Sequence, residues 1–248
     1  VDGALADVAQ TPRLLVVCDF DGTIAPIVDD PSAAAPDPLA LELLLRLAAL
    51  PGTVVALVSG RSRAHLATLS GLGTSGSPVR LVGSHGAEHA DAERPEGVRD
   101  IIDLVRVVAE PFAGVELEPK PYGVAVHVRR ADEPDAALAA VAAFAASHEL
   151  TVLHGKKVIE LSVAHVDKGD AVRRLVTESL ADRTVIVGDD VTDEAAFAAA
   201  LAEDVTVKVG AGETTARYRV RDVGDVVLLL QRLLEVRTSW ASSAHGPA

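Results

Sequence analysis

Leu14-Leu15-Val16-Val17-Cys18-Asp19-Phe20-Asp21-Gly22-Thr23 is the stretch that decides the fold. Five apolar residues in a row read as a strand covered on both faces. Two carboxylates and a glycine turn follow at once. One acid at a strand end can be a cap. Two, spaced to project together from the strand tip, make a hard-cation site and a candidate nucleophile. Far downstream a second apolar strand, Thr184-Val185-Ile186-Val187-Gly188, also ends in acids, Asp189-Asp190. Two strands delivering carboxylates to one sheet edge point to magnesium-assisted phosphoryl chemistry.

Outward from Asp19, strands and helices alternate. Asp37-Pro38 reads as a helix N-cap followed by proline at the first helical position. Leu39, Leu43, Leu47 and Leu50 then mark one face, and Pro51-Gly52 stops the helix. Thr53 to Ser59 predicts a strand, Ser62 to about Leu69 a helix, and Val79 to Val82 a strand. Near the end come Thr184 to Gly188, a helix from about Asp193, a strand over Asp204 to Val209 and a helix around Val226 to Val236. Uniformly apolar strands joined by helices imply a parallel sheet covered on both faces. Such sheets place ligands beyond the carboxyl ends of their strands, where Asp21, Ser59 and Asp189 fall.

The middle of the chain alternates instead. Val124, Val126 and Val128 oppose His127 and Arg129; Val115 and Leu117 oppose Glu116, Glu118 and Lys120; Ile159, Leu161 and Val163 oppose Glu160 and Ser162. A two-residue period with one wet face means a sheet backed by helices on one side. From about Arg94 to Ala164 the order is helix, strand, strand, helix, strand, strand. The expectation is an α/β protein: a core of residues 11–93 and 165–240, interrupted by an α+β unit of residues 94–164. A hinge is expected near Ala90 to Pro95 and near Ala164 to Lys168.

Composition fits this scheme. With 248 residues, 49% of them hydrophobic, the chain has ample core material. A formal net charge of −13 argues against nucleic-acid partners. No apolar run approaches the roughly 20 residues that span a bilayer, and nothing resembles a signal peptide. A cytoplasmic, membrane-free monomer is expected, with no long apolar stripe left for a partner. The one cysteine, Cys18, reads as a core thiol. The chain holds no methionine and begins at Val1, so a native start upstream is expected.

The candidate chemistry follows from residue types. One carboxylate oxygen of Asp19, the main-chain carbonyl of Asp21, and Asp189 would supply oxygen ligands to Mg²⁺. A free face of Asp19 could attack phosphorus, and Asp21 could serve as acid and then base. A calcium loop starting at Asp19 fails on spacing, since Ile24 and Asp30 stand where glycine and glutamate belong. Ser59-Gly60-Arg61 suits a phosphate oxygen or an ordinary helix cap. Lys168-Gly169 offers either a surface lysine or the cation that the acids plus a phosphate need. Asp193 fits a helix start or a partner of the metal site. Glu118, Lys120, His127, Arg129 and Glu160 suit a hydroxyl-rich ligand, or a solvated sheet face.

Taken together, Asp19-Phe20-Asp21-Gly22-Thr23, Ser59-Gly60-Arg61, Lys168-Gly169 and Gly188-Asp189-Asp190 resemble, in order, the four motifs of the haloacid dehalogenase superfamily. Within it the chain resembles the trehalose-6-phosphate phosphatases. That likeness rests on Gly83 to Glu88, Glu116 to Lys120 with Val126 to Arg129, Gly155 to Glu160, and Gly188 to Glu194. The resemblance implies a Rossmann-like core with an inserted α+β cap. It implies Asp19 as nucleophile, Asp21 as acid/base, Ser59 and Lys168 as phosphate ligands, and Mg²⁺ held by Asp19, Asp21 and Asp189. It implies Glu118, Lys120, His127 and Glu160 at the disaccharide, with Arg129, Lys156, Arg61 and His85 contributing. Pro121 and Ser162-Val163 depart from the family pattern at loops of the cap. The expected reaction is hydrolysis of trehalose 6-phosphate. The alternatives are another sugar phosphate, such as sucrose 6-phosphate or a glucosyl- or mannosyl-phosphoglycerate, or a non-catalytic sugar-phosphate sensor.

Overall fold

The computed structural model describes residues 1–72, 76–89, 95–155 and 157–244. In chain order its first elements are α1 (Asp2–Ala9), β1 (Leu14–Cys18), α2 (Pro38–Ala48), β2 (Thr53–Val58), α3 (Arg63–Ser70) and β3 (Val79–Val82). Next come α4 (Val98–Ala109), β4 (Glu116–Lys120), β5 (Gly123–His127), α5 (Pro134–Ser147), β6 (Thr151–Gly155) and β7 (Val158–Ser162). The chain closes with α6 (Lys168–Ser179), β8 (Arg183–Gly188), α7 (Asp193–Ala198), β9 (Val205–Val209), β10 (Tyr218–Val220) and α8 (Val223–Ala244). It divides into two compact units, Val1–Ala90 with Val166–Ala248, and Asp91–His165.

The larger unit is built on a six-stranded parallel sheet in the order β10-β9-β8-β1-β2-β3. All five residues of β1 are buried, as its unbroken apolar run requires. Leu14, Val16 and Cys18 face one layer, where Leu5 of α1, Leu43, Leu44 and Leu47 of α2 and Leu230 and Leu233 of α8 pack with them. Leu15 and Val17 face the other layer, with Ala171, Val172 and Leu175 of α6 and Phe197 of α7. Strand order reverses between β1 and β8, because β2 and β3 lie on one side of β1 while β8, β9 and β10 lie on the other. That is the switch point at which open α/β sheets leave a crevice. Asp19 and Asp189 follow the two strands that border it.

Local signals set several boundaries. Asp37 Oδ1 accepts the amides of Leu39 and Ala40 at 2.9 and 3.1 Å, fixing the start of α2. Asp167 and Asp170 form a reciprocal cap that starts α6 at Lys168. Asp204, expected inside a strand, instead precedes β9. Its carboxylate takes the amides of Thr184 and Leu201, which ties the start of β8 to the preceding turn. Two elements carry no clear sequence signal, α1 and the three-residue edge strand β10. Helix α8 runs past the expected end at Val236 because Arg237 and Ala241 continue its buried side.

The smaller unit is an antiparallel sheet, β4-β5-β7-β6, with α4 and α5 on one face. Val124, Val126, Ile159 and Leu161 pack there with Val105, Ala137 and Val141. Odd-numbered positions of β5 and even-numbered ones of β4 and β7 share the opposite face. Strand β5 ends at His127, so Arg129 does not extend that row as the alternation suggested. It lies exposed past the strand end. Lys156 and residues 90–94 of the expected hinge lie outside the described residues.

Candidate active site

Asp19 continues the ladder of β1, its amide bonded to the Val187 carbonyl at 2.9 Å, and its side chain is 6% exposed. Lys168 opens α6 and is 3% exposed, which removes the reading of a surface lysine. Its ammonium donates to Asp19 Oδ1 and to Asp193 Oδ1, each at 2.8 Å. Asp193 is more than a helix-start charge. Its second oxygen accepts the amides of both Asp189 and Asp190 at 2.9 Å, so one carboxylate ties α7, α6 and the loop after β8 together.

Asp19, Asp189 and Asp193 present carboxylate oxygens within 4.8 Å of one another. The donor set is hard oxygen throughout, the kind Mg²⁺ prefers. Glycine is required at Gly22, where φ is +73° and a Cβ would fall 2.1 Å from Asp189 Oδ2. Gly188 is under the same constraint, since a Cβ there would lie 2.3 Å from the Asp193 carboxyl carbon. Three carboxylates around one ammonium leave an excess of negative charge. Burial pushes Asp19 well above the usual carboxylate range; Lys168 opposes this, while Asp193 and Asp189 add to it. Asp189 rises to about 6, through burial and then repulsion from Asp193 and Asp190. Burial alone would pull Lys168 down, but Asp19 and Asp193 together outweigh it and keep the ammonium charged. Such a cluster fits a divalent cation on electrostatic as well as ligand grounds.

Asp21 stands apart from that group. Arg61 forks its carboxylate with Nε and Nη2, both at 2.6 Å, and the guanidinium lies 5.8 Å from the Phe20 ring centroid. This leaves a main-chain carbonyl, not the side chain, as the Asp21 contribution to a metal. Ser59 is buried at the end of β2, and its Oγ accepts the Arg61 amide at 3.2 Å. The hydroxyl proton therefore remains available, so a turn role and a phosphate role are compatible here. His85 packs over Gly60, where a Cβ would sit 2.5 Å from the ring. Ser84 and His85 both hold positive φ, 48° and 54°. Strain of this kind, about 1–3 kcal/mol per residue, needs support. Ser84 N bonds to Arg61 O, His85 N to Ser59 O, and Ser84 Oγ to Glu88 Oε1.

In the smaller unit, Glu118 accepts from Lys120 at 2.7 Å and lies 3.0 Å from His127 Nε2. Burial pushes Glu118 up, but Lys120 and His127 together hold it below its ordinary value. Glu160 is the reverse. Burial raises it, Lys120 opposes, and Glu118 adds to the rise. Both glutamates register with Ala125, whose small side chain lies between them. Glu118, Lys120, His127 and Glu160 thus form one group, and Arg129 is outside it. Asp193 was legible in the sequence only as an undecided acid. Lys208 was missed altogether: it is buried in β9, and its ammonium donates to the Asp189 carbonyl. A lone lysine inside Val205-Thr206-Val207-Lys208-Val209 was the available signal, since a buried cation demands a partner.

A model of the trehalose-phosphatase family matches residues 17–223. The chain belongs to the trehalose-phosphatase family. A bifunctional trehalose-6-phosphate synthase/phosphatase of Thermoproteus tenax is 39% identical over 94% of this chain and 33% of its own length. Trehalose-6-phosphate phosphatase of Escherichia coli is 32% identical, over 84% of this chain and 82% of its own. The trehalose-phosphate phosphatase of Mycobacterium tuberculosis is 36% identical, over 78% and 53%. The chain therefore spans a third of the first of these relatives and about half of the mycobacterial one. Among solved structures, the C-terminal domain of C. albicans trehalose-6-phosphate phosphatase superposes with a TM-score of 0.74 at 25% identity. It covers 94% of this chain and 96% of that one.

Proposed function

We propose that the chain hydrolyses trehalose 6-phosphate to trehalose and inorganic phosphate, through a phosphorylated Asp19. The observation that carries this is the Lys168 ammonium joined to Asp19 and Asp193, with the Asp189 carboxylate in the same cluster, in a member of this family. Asp19 Oδ1 is engaged by Lys168, so Oδ2 is the attacking oxygen. It forms a bond to phosphorus as the bond to the sugar oxygen breaks. Asp21, once released from its fork with Arg61 and protonated, gives its proton to the departing sugar oxygen. It then takes a proton from the water that attacks phosphorus in the aspartyl phosphate, and Oδ2 leaves phosphorus. Lys168 has one N–H beyond the two it spends on carboxylates, and that donor and the Ser59 hydroxyl hold phosphoryl oxygens. Asp19, Asp189 and the Asp21 carbonyl would bind Mg²⁺, with Asp193 beside them. When bound, the ion supplies charge neutralisation on the phosphoryl oxygens.

Glu118, Lys120, His127 and Glu160 serve recognition of the disaccharide, with His85, Arg61, Arg129 and Lys156 as further contacts. Carboxylates accept from sugar hydroxyls and Lys120 donates to them, which suits a ligand rich in both. A cytoplasmic monomer completes the proposal. No described helix is long and apolar enough to cross a membrane. The test is steady-state phosphate release from a panel of sugar phosphates, with and without chelator. Trehalose 6-phosphate should be turned over far faster than glucose 6-phosphate, and chelation should abolish release until Mg²⁺ is returned. Equal turnover of the two sugars would defeat the substrate assignment, and activity in chelator the metal one.

A further inference from the structure

The loop after β8 is held by a cation that none of the roles above employs. Lys208 sits on β9 directly opposite Gly188, the residue before Asp189. It is 4% exposed, and its Nζ donates to the main-chain carbonyl of Asp189. Among the described residues it makes no ion pair. A desolvated ammonium with one carbonyl for company is costly, so the acids nearby must offset it. Its positive charge acts on both Asp189 and Glu194.

The geometry gives this lysine a purpose. Asp193 Oδ2 holds the Asp189 amide, and Lys208 holds the Asp189 carbonyl. One residue is thus gripped at both ends of its main chain by two side chains from different elements. Its carboxylate is confined as well, lying against Gly22 where a Cβ would leave it no room. We propose that Lys208 is a positioning residue, fixing the Asp189 main chain so that its carboxylate meets those of Asp19 and Asp193 in a shape ready for a divalent cation. This rests on the metal reading given above.

Two physical effects of removing Lys208 have opposite signs, which makes the inference testable without turnover. If the lysine served only as a local positive charge, its loss would tighten binding of another cation. If it positions Asp189, its loss weakens binding. Mn²⁺ affinity of the full chain, read from the free-ion electron paramagnetic resonance signal, separates the two. K208M, similar in length and neutral, should bind Mn²⁺ about tenfold or more weakly, the usual effect of losing a partner that orients a metal ligand. K208R, which keeps a long donor, should recover most of the loss. Unchanged or tighter binding by K208M overturns the inference. Circular dichroism and thermal melts in chelator report whether each variant folds. Should K208M fail to fold, K208Q replaces it, and K208Q binding as tightly as K208R overturns the inference. Absence of Mn²⁺ binding in the wild type would remove the metal reading and this inference with it. Normal wild-type binding with an indifferent K208M would remove this inference alone.

Discussion

Asp19 is the residue on which the chemistry turns, and its isosteric change tests it most directly. Asp19→Asn keeps the shape and a contact to Lys168 but has no nucleophilic carboxylate. Phosphate release should fall by at least about a thousandfold, on the scale seen when a catalytic nucleophile is removed, while substrate binding by calorimetry persists. Retained turnover would end the covalent mechanism. Glu160 makes a separate, pH-dependent prediction. Its folded-state proton affinity is raised by burial. The sign follows from linkage: the folded chain binds this proton more tightly than the unfolded chain. The resulting stabilisation is fully present below the ordinary value of 4.5 and is lost as pH rises through the raised one. Glu160→Gln, which cannot ionise, should therefore melt higher than wild type at pH 8 and equally at pH 4. A gain of the same size at both values would count against a raised Glu160.

At the scale of elements, caps and turns carry testable energies. Asp37 holds two amides at the start of α2, and Asp37→Ala should cost about 1 kcal/mol in urea unfolding, the usual size for such a cap. Activity should be unaffected, because the Asp37 carboxylate bonds only to the amides of Leu39 and Ala40 among the described residues. The elements themselves were largely legible. Apolar runs gave β1, β2 and β8, and β9 was read with its start one residue early, at Asp204. Alternation at Val124, Val126, Ile159 and Leu161 separated the one-sided sheet from the two-sided one. What was not legible depended on long-range contacts. α1 is a short helix of small residues, stabilised by burying Leu5 and Val8 in the core that α8 shares. β10 has an exposed Arg219 between two half-buried residues, Tyr218 and Val220, and exists because they find the edge of β9. The acids of the site announced themselves by type and spacing. The engagement of Asp21 by Arg61 did not, since forty residues separate them in sequence and nothing local encodes the fork.

On the scale of the whole molecule, one buried cation closes the sheet at the end away from the acids. Arg237 of α8 is 0% exposed and donates to the carbonyls of Ala9, Thr11, Pro12, Pro51 and Gly52 and to Thr53 Oγ1. Its guanidinium also lies 4.4 Å from the Trp240 ring centroid. Arg237→Met fills the space but leaves buried carbonyls without donors. At about 1–3 kcal/mol for each such group, the core should lose at least about 3 kcal/mol by urea denaturation. An effect under 1 kcal/mol would show that water reaches those carbonyls. The parallel pairing of β1 with β8 has a different consequence, felt while the protein is being made. Residues 14–18 wait for residues 183–187 before the middle of the sheet exists. On the ribosome, β1, β2 and β3 are synthesised with one long hydrogen-bonding edge open, whereas α4 to β7 complete their own contacts before α6 has emerged. The nascent chain therefore carries a finished small unit beside a half-built sheet, and chaperones would meet it at the open side of β1.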